Sequence, residues 1–324
     1  MPLLLIDRET VARLLTFERC TPLMREAMIA LSTGRTKQLL RQIIDLDGGR
    51  AFGVMPGAMD AAFGAKLISV FPGNFAKGLQ SHQGGVLLFD PSSGAPVAML
   101  HAGEITAIRT AAASAAATDA LARADASVLA LLGYGEQALT HARAISHVRV
   151  IRKIRIWGRH PDRADAFAHK LAAELGIAAS IAETTAEAVR EADIVCAVSA
   201  AAEPILFSRD LADGAHVNLV GAGTAAFREV DDALVARGRL FADHREGVLR
   251  QGGEVLHAIA AGLIGEDHVL GEIGEVMAGD KLGRISPADV TIYKSLGAIV
   301  QDLASGWFVY QRAVERGMGT IASF

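Results

Sequence analysis

The chain has 324 residues, 51% of them hydrophobic and 21% charged, with a formal net charge of −4. That length accommodates two domains or one large one, and the charge gives no basis for a nucleic acid or an anionic membrane as partner. Cys20 and Cys196 stand far apart and no segment reaches the roughly 18 apolar residues of a membrane span, so neither a disulfide nor a membrane anchor is expected, and a reducing cytoplasm fits.

Leu3 to Ile6 reads as a short edge strand; the apolar run at the N-terminus is too short for a signal peptide. Asp7 to Ser32 reads as capped helices, with Thr10 and Thr21 as caps. From Gln38 to Leu100 the pattern turns to strands, at Leu39–Leu46, Arg50–Met55, Gly64–Val70, Gly85–Asp90 and Ala95–Met99. The turns are Asp47-Gly48-Gly49 and Asp90-Pro91-Ser92-Ser93-Gly94. Closely spaced strands with short turns imply an antiparallel or mixed sheet.

Basic residues interrupt these apolar elements. Arg41 stands in Leu39-Leu40-Arg41-Gln42-Ile43, Lys66 in Gly64-Ala65-Lys66-Leu67, and Arg109 in Thr106-Ala107-Ile108-Arg109-Thr110. A cation inside an apolar element is costly unless paired. Each alone suits an exposed face; three, with few acids near them in sequence, suit a pocket for a small carboxylate. Two arginines would clamp the carboxylate and the lysine would sit by the reacting atom. Burial and the like charges would lower the Lys66 pKa toward the range of a general acid. His82, in a turn before a strand, either touches substrate or hydrogen-bonds the loop. Met55 and Gly223 are weaker substrate candidates.

Gly103 to Ala122 reads as a helix of small residues, Thr110 to Thr118 above all. Helix packing and close approach of a cofactor explain it equally well. Val128 to Leu132 then runs into Gly133-Tyr134-Gly135-Glu136-Gln137-Ala138 and a helix over 136–146. An apolar strand ending in Gly-x-Gly-x-x-Ala before a helix is the pattern of a dinucleotide-binding turn: glycines for the turn and the pyrophosphate approach, a small residue for packing, and the helix N-terminus for the phosphates. By itself the pattern is weak in a Gly/Ala-rich chain, but a second strand follows at Lys153–Trp157. That strand ends in Trp157-Gly158-Arg159-His160-Pro161-Asp162-Arg163, with no acid at its tip to hold a ribose 2′-OH. Arg159 and Arg163 suit a 2′-phosphate, so NADPH is preferred and NADH is the alternative. Thr110, Ser199 and the residues Gly133 to Gln137 complete the candidate cofactor contacts.

Strands and helices then alternate: a helix over 161–175, Ala179–Ala182, a helix over 185–191, Ile194–Ala197 and Val217–Val220. Phe207–Leu211 and Asp231–Arg237 fill in around them, and Arg239–Ala242 is a further strand. This is the rhythm of a doubly wound parallel sheet. The last helix, Ser295 to Arg316, is expected to leave that domain and pack on the first. The domain expectation is therefore 1–120 plus 300–324, discontinuous and α+β, around a Rossmann domain at 121–299. No Cys/His cluster has metal-ligand spacing, so no metal is expected.

Five stretches together resemble the ornithine cyclodeaminase/μ-crystallin family: Gly64 to Leu67; Val86 to Pro91 with Gly94; Ile105 to Ala112; Leu132 to Ala138; and Thr291-Ile292-Tyr293-Lys294-Ser295-Leu296-Gly297 with Gln301-Asp302-Leu303. The resemblance covers about residues 3 to 315. It implies a homodimer whose first domain, completed by the C-terminal helix, forms the interface and the substrate pocket, beside a Rossmann domain for NAD(P). It implies that Arg41 and Arg109 hold a substrate carboxylate, that Lys66 is catalytic, and that Ser295 and Gly297 lie near the nicotinamide or phosphates. One stretch departs from the cyclodeaminase pattern Gly-Gly-Asp-x-Pro-Gly-Lys: Gly223 stands at the aspartate position and Phe227 at the lysine. That points to the ketimine reductase branch, in which Δ1-pyrroline-2-carboxylate or Δ1-piperideine-2-carboxylate becomes L-proline or L-pipecolate. The rival readings are an ornithine cyclodeaminase or hydroxyproline dehydratase, an alanine dehydrogenase, and a non-catalytic NADPH-binding crystallin-like protein.

Overall fold

A computed structural model of the protein describes residues 2–323. It divides into two compact units: the chain up to Arg109 together with the chain from Ala298 on, and Thr110–Gly297.

The first unit opens with β1 (Pro2–Ile6), α1 (Arg8–Leu14), α2 (Phe17–Ser32), β2 (Thr36–Gln38), β3 (Gln42–Asp45), β4 (Ala51–Met59), β5 (Ala62–Val70), β6 (His82–Phe89) and β7 (Pro96–His101). Helix α3 (Ala102–Leu121) follows, and the division between the units falls inside it. Asp7 caps α1 by accepting the Thr10 N–H at 2.8 Å, so Thr10 lies inside the helix instead of capping it. Thr16 is the N-cap residue of α2, and Thr21 is likewise interior. Of the expected strand over 39–46 only Gln42–Asp45 is strand, as β3; β2 precedes it at Thr36–Gln38, and both are antiparallel to β4. The break falls opposite Met55 and Pro56, where proline offers no N–H to the ladder. Arg41 occupies that break rather than a strand.

The second unit holds β8 (Val128–Leu132), α4 (Glu136–Val148), β9 (Lys153–Trp157), α5 (Pro161–Leu175), β10 (Ala178–Ile181), α6 (Thr185–Val189), β11 (Ile194–Ala197), β12 (His216–Leu219), α7 (Asp232–Arg237), β13 (Arg239–Ala242), α8 (Arg245–Gln251), α9 (Gly253–Ala260), β14 (Val269–Glu272), α10 (Ile273–Ala278) and β15 (Thr291–Lys294). Its sheet runs β10-β9-β8-β11-β12-β15-β13-β14, with every pairing parallel. The first five strands follow the 3-2-1-4-5 order of a Rossmann sheet. Residues of β11 and β12 are buried throughout, as expected for strands covered on both faces.

The chain then returns to the first unit as α11 (Ile299–Arg316) and β16 (Thr320–Ser323). The helix begins four residues later than the sequence suggests, because Thr291–Lys294 is strand β15 and Gly297 takes a left-handed φ of 88°. The first unit's sheet is β16-β1-β7-β6-β5-β4-β2, with β3 also on β4. Strand β1 is therefore not an edge: β16 covers its outer side. Helix α11 lies on this sheet. A Cβ on Gly57 would fall 2.5 Å from Ile299 Cγ2, so only glycine lets the start of α11 approach β4. Val86, Leu88 and Leu100 are buried on the same side, each worth on the order of 1.5–3 kcal/mol. Among the described residues no helix is long and apolar enough to cross a membrane.

Candidate active site

Strand pairing sets Met55, Lys66, Val86 and Leu100 in one row across β4, β5, β6 and β7. All four are buried, so the single cation of the row projects into the packed face. Lys66 is 2% exposed, Arg109 5% and Asp302 0%. Lys66 Nζ donates to Asp302 Oδ1 at 3.0 Å and to Thr106 Oγ1 at 2.7 Å. The Thr106 hydroxyl gives its own proton to the Ala102 carbonyl at 2.6 Å, so it meets Lys66 as an acceptor. Arg109 Nε donates to the same Asp302 oxygen at 3.2 Å, and its Nη1 donates to Gln301 Oε1 at 2.7 Å. Gln301 is held in turn against Met28 Sδ at 3.2 Å.

Electrostatics follow from this packing. Burial, with the positive charges of Arg109 and Arg41, pushes the Lys66 pKa down to about 8, and Asp302 works against the fall. The carboxylate is a correction to the sequence reading, which found few acids near these cations. Asp302 comes from the returning helix. It is detectable by the reasoning that singled out Lys66: Gln301-Asp302 interrupts the apolar run Ala298 to Ala304. Asp302 Oδ2 is buried and has no hydrogen-bond partner among the described residues. His82 opens β6 rather than lying in a turn, four residues from the strand position opposite Lys66. Its Nδ1 pairs with Ser81 Oγ at 2.9 Å.

In the second unit Thr110 is buried within α3, and the other remaining candidates follow the carboxyl ends of parallel strands. Gly133 follows β8 with φ 132°, and a Cβ there would lie 2.9 Å from the Val198 carbonyl oxygen. Only glycine is comfortable in that conformation and that space. Gly135 is the N-cap residue of α4, which has no side-chain cap, and the space beside Gly135 is open. Tyr134 lays its ring against Gly158, where a Cβ would fall 2.0 Å from the ring. Gln137 Oε1 is buried without a hydrogen-bond partner among the described residues. Uncapped N–H groups, open space and an orphaned amide oxygen fit a phosphate-bearing ligand with further polar groups. Arg159 and Arg163 follow β9 and are exposed.

Ser199 follows β11 and Gly223 follows β12. Ser295 to Gly297 follow β15, where Asp243 holds the loop. Its Oδ2 accepts from Leu296 N–H at 2.7 Å and Gly297 N–H at 2.5 Å. Asp243, Glu229 and Lys294 were not singled out from the sequence, since their partners are known only once the strands are side by side. Among the described residues no group of His, Cys, Asp and Glu is arranged to hold a metal ion.

The model of the ornithine cyclodeaminase/mu-crystallin family matches residues 4–317. The ketimine reductase mu-crystallin of Mus musculus is 37% identical over 280 residues, covering 86% of this chain and 85% of that protein. A Delta(1)-pyrroline-2-carboxylate reductase of Bacillus cereus is 35% identical over 274 residues, 84% of each chain. The solved structure of Thermococcus litoralis Delta(1)-pyrroline-2-carboxylate reductase, in complex with NADH and L-proline, superposes with a TM-score of 0.95 at 34% identity, covering 98% of this chain and 99% of that one.

Proposed function

The chain belongs to the ornithine cyclodeaminase/mu-crystallin family, and we propose that it is an NAD(P)H-dependent reductase of small cyclic imino acids, converting Δ1-pyrroline-2-carboxylate or Δ1-piperideine-2-carboxylate to L-proline or L-pipecolate. The observation that carries this reading is the buried trio Lys66, Arg109 and Asp302, present in a chain about one-third identical to reductases of that name.

The reaction adds one proton and one hydride across a C=N bond. Lys66 uses two of its three N–H donors on Thr106 and Asp302, and the third serves the imine nitrogen. With a pKa of about 8 it is an ammonium at neutral pH yet acidic enough to give up its proton. Asp302 Oδ2 is an acceptor for the N–H of the resulting iminium. Arg109 is anchored through Nε and Nη1, which leaves its Nη2 edge for the substrate carboxylate, with Arg41 as second clamp and Met55 and His82 as flanking contacts. Bound NAD(P)H supplies the hydride, which an iminium accepts more readily than a neutral imine.

The Gly133–Gln137 turn is the pyrophosphate cradle, with Thr110, Ser199, Ser295 and Gly297 as further cofactor contacts. NADPH is the preferred form: no acid stands at the tip of β9, and exposed Arg159 and Arg163 are available to a 2′-phosphate. Gly223 offers no carboxylate to a distal amine, which favours imine reduction over ornithine cyclisation. The working form is a homodimer. Leu5, Met99, Leu87, Ala65 and Pro56 form an apolar row across five strands, and Met99 is 42% exposed. Such a stripe across an open sheet suits a second copy. Two buried free thiols, both pushed up to about 12 by burial, suit a reducing cytoplasm.

The test is a panel of imino and keto acids, the latter with amines, assayed with NADPH and NADH at the reduced-nicotinamide absorbance band. Oxidation of NADPH with the cyclic imines is expected. Ammonia release from ornithine without net NADPH consumption would replace this reading with a lyase.

A further inference from the structure

One fully buried carboxylate ties together the loops that leave β11 and β12. Glu229 Oε1 accepts from the Ser199 N–H at 2.7 Å and from the Ser199 hydroxyl at 2.6 Å, while Oε2 accepts from the Gly221 N–H at 2.7 Å. The second loop is gripped again one residue on. Lys294 Nζ donates to the Ala222 carbonyl at 2.7 Å and pairs with Glu254 Oε2 at 2.8 Å. Glu229, Glu254 and Lys294 are each 0% exposed. Buried ion pairs are no better for stability than well-packed apolar side chains, so stability is a poor reason for this arrangement. Its distinctive product is geometric: two loops at the strand ends are fixed to one carboxyl group.

Burial pushes the Glu229 pKa up, while the Ser199 hydrogen bonds and the Lys294 charge pull it back down; the donors converging on its carboxyl group also limit what Ser199 can offer. All three contacts donate to Glu229, so the Ser199 hydroxyl proton is spent; its oxygen already accepts from the Ala201 N–H at 3.2 Å, which leaves one lone pair to accept from a ligand. In a sheet ordered 3-2-1-4-5, β8, β9 and β10 build one mononucleotide half, while β11 and β12 open the other. The Gly133–Gln137 turn belongs to the first half; Ser199 and Gly221 belong to the second.

We propose that Glu229 is a positioning residue for the nicotinamide half of the dinucleotide, setting Ser199 and the Gly221–Gly223 loop without itself touching the cofactor. The inference rests on the dinucleotide reading above. It separates the two halves of the ligand: disturbing Glu229 should weaken the grip on the nicotinamide riboside and leave the grip on the adenosine diphosphate portion alone.

The test uses the full chain with Glu229→Gln, which keeps one acceptor oxygen but turns an NH2 donor toward a backbone N–H. NADPH and NADH are titrated by reduced-nicotinamide fluorescence, and ADP-ribose and its 2′-phosphate by calorimetry. The dinucleotide Kd is expected to rise about tenfold, equivalent to about 1.4 kcal/mol, while the Kd of the nicotinamide-free ligand stays within about twofold. Glu229→Asp keeps the charge beside Lys294 but is one methylene too short to span both loops; it carries the same test should Glu229→Gln not fold. A purely structural role would weaken both ligands alike, and that result, or unchanged dinucleotide binding by both variants, overturns the inference. If the unaltered protein binds neither NADPH nor NADH, the dinucleotide reading falls and this inference with it.

Discussion

Lys66 Nζ stands 3.0 Å from Asp302 Oδ1, joining a strand residue to a helix residue 236 positions further along the chain. Arg109 Nε reaches the same oxygen. One carboxylate thus faces two buried cations, and the three groups together keep a net positive charge that suits an anionic substrate. Five predictions follow from this arrangement and from the proposed cofactor and dimer contacts.

Lys66→Ala should lower kcat/KM for Δ1-pyrroline-2-carboxylate by on the order of 10²–10⁴, the usual worth of a positioned general acid. Lys66→Arg should recover little, because a guanidinium does not release a proton near neutrality. Steady-state NADPH oxidation measures both; a Lys66→Ala enzyme within a few-fold of the parent would remove Lys66 from the chemistry.

The alkaline limb of the kcat/KM profile should fall near pH 8, where Lys66 loses its proton. Activity is full below that pH and declines above it. Asp302→Asn removes the charge that supports the ammonium, so the limb should move to lower pH. Stability runs the other way. The folded pKa lies below the unfolded value of 10.5, so between about 8 and that value the unfolded chain binds more protons and Lys66 becomes less costly to fold as pH rises. Urea melts of parent and Lys66→Met at about pH 7 and about pH 10 should show the difference moving in favour of the parent at the higher pH.

Arg109→Lys keeps the charge and loses the fork. KM for the imino acid should rise about 10- to 100-fold, the equivalent of a charge-assisted hydrogen bond worth ~1.5–3 kcal/mol. An unchanged KM in substrate titrations would mean that Arg109 serves Asp302 alone.

Arg159→Ala should raise KM for NADPH by about tenfold and leave KM for NADH nearly unaltered, since only the former carries the 2′-phosphate. Equal effects on both cofactors would identify Arg159 as a general surface charge.

Met99→Lys and Leu87→Lys place a charge in the apolar row on the sheet of the first unit. Each should convert a dimer to a monomer in light scattering coupled to size-exclusion chromatography, because burying an unpaired ammonium in an interface costs several kcal/mol. A dimer that persists in both variants would move the interface elsewhere.

The parallel sheet was the most legible part of the chain. Strands β11 and β13 appear where short apolar runs placed them, as buried parallel strands should, and β9 where Lys153-Ile154-Arg155-Ile156-Trp157 alternates, burying only Ile154 and Ile156 fully. Strand β15 was not legible: Thr291-Ile292-Tyr293-Lys294 reads equally well as the approach to a helix, and short apolar runs carry no period that decides. Helices α8, α9 and α10 and strands β14 and β16 were missed in the same way. Arg41 was assigned to a strand because nothing local announced that Pro56, across the ladder, would interrupt the pairing.

What the sequence by itself determined was the chemistry carried by contiguous residues. The strand, the Gly133–Gln137 turn and the first turn of α4 are one local object, and a glycine that must adopt φ 132° announces itself wherever the chain goes afterwards. Only the tertiary structure decided that Asp302 would meet Lys66 and Arg109, or that Glu229 would bind the loops after β11 and β12. Those pairings depend on strands and a returning helix brought together from distant parts of the chain. The cost of burying a charge is local to each residue, but the partner that offsets it has no local signature.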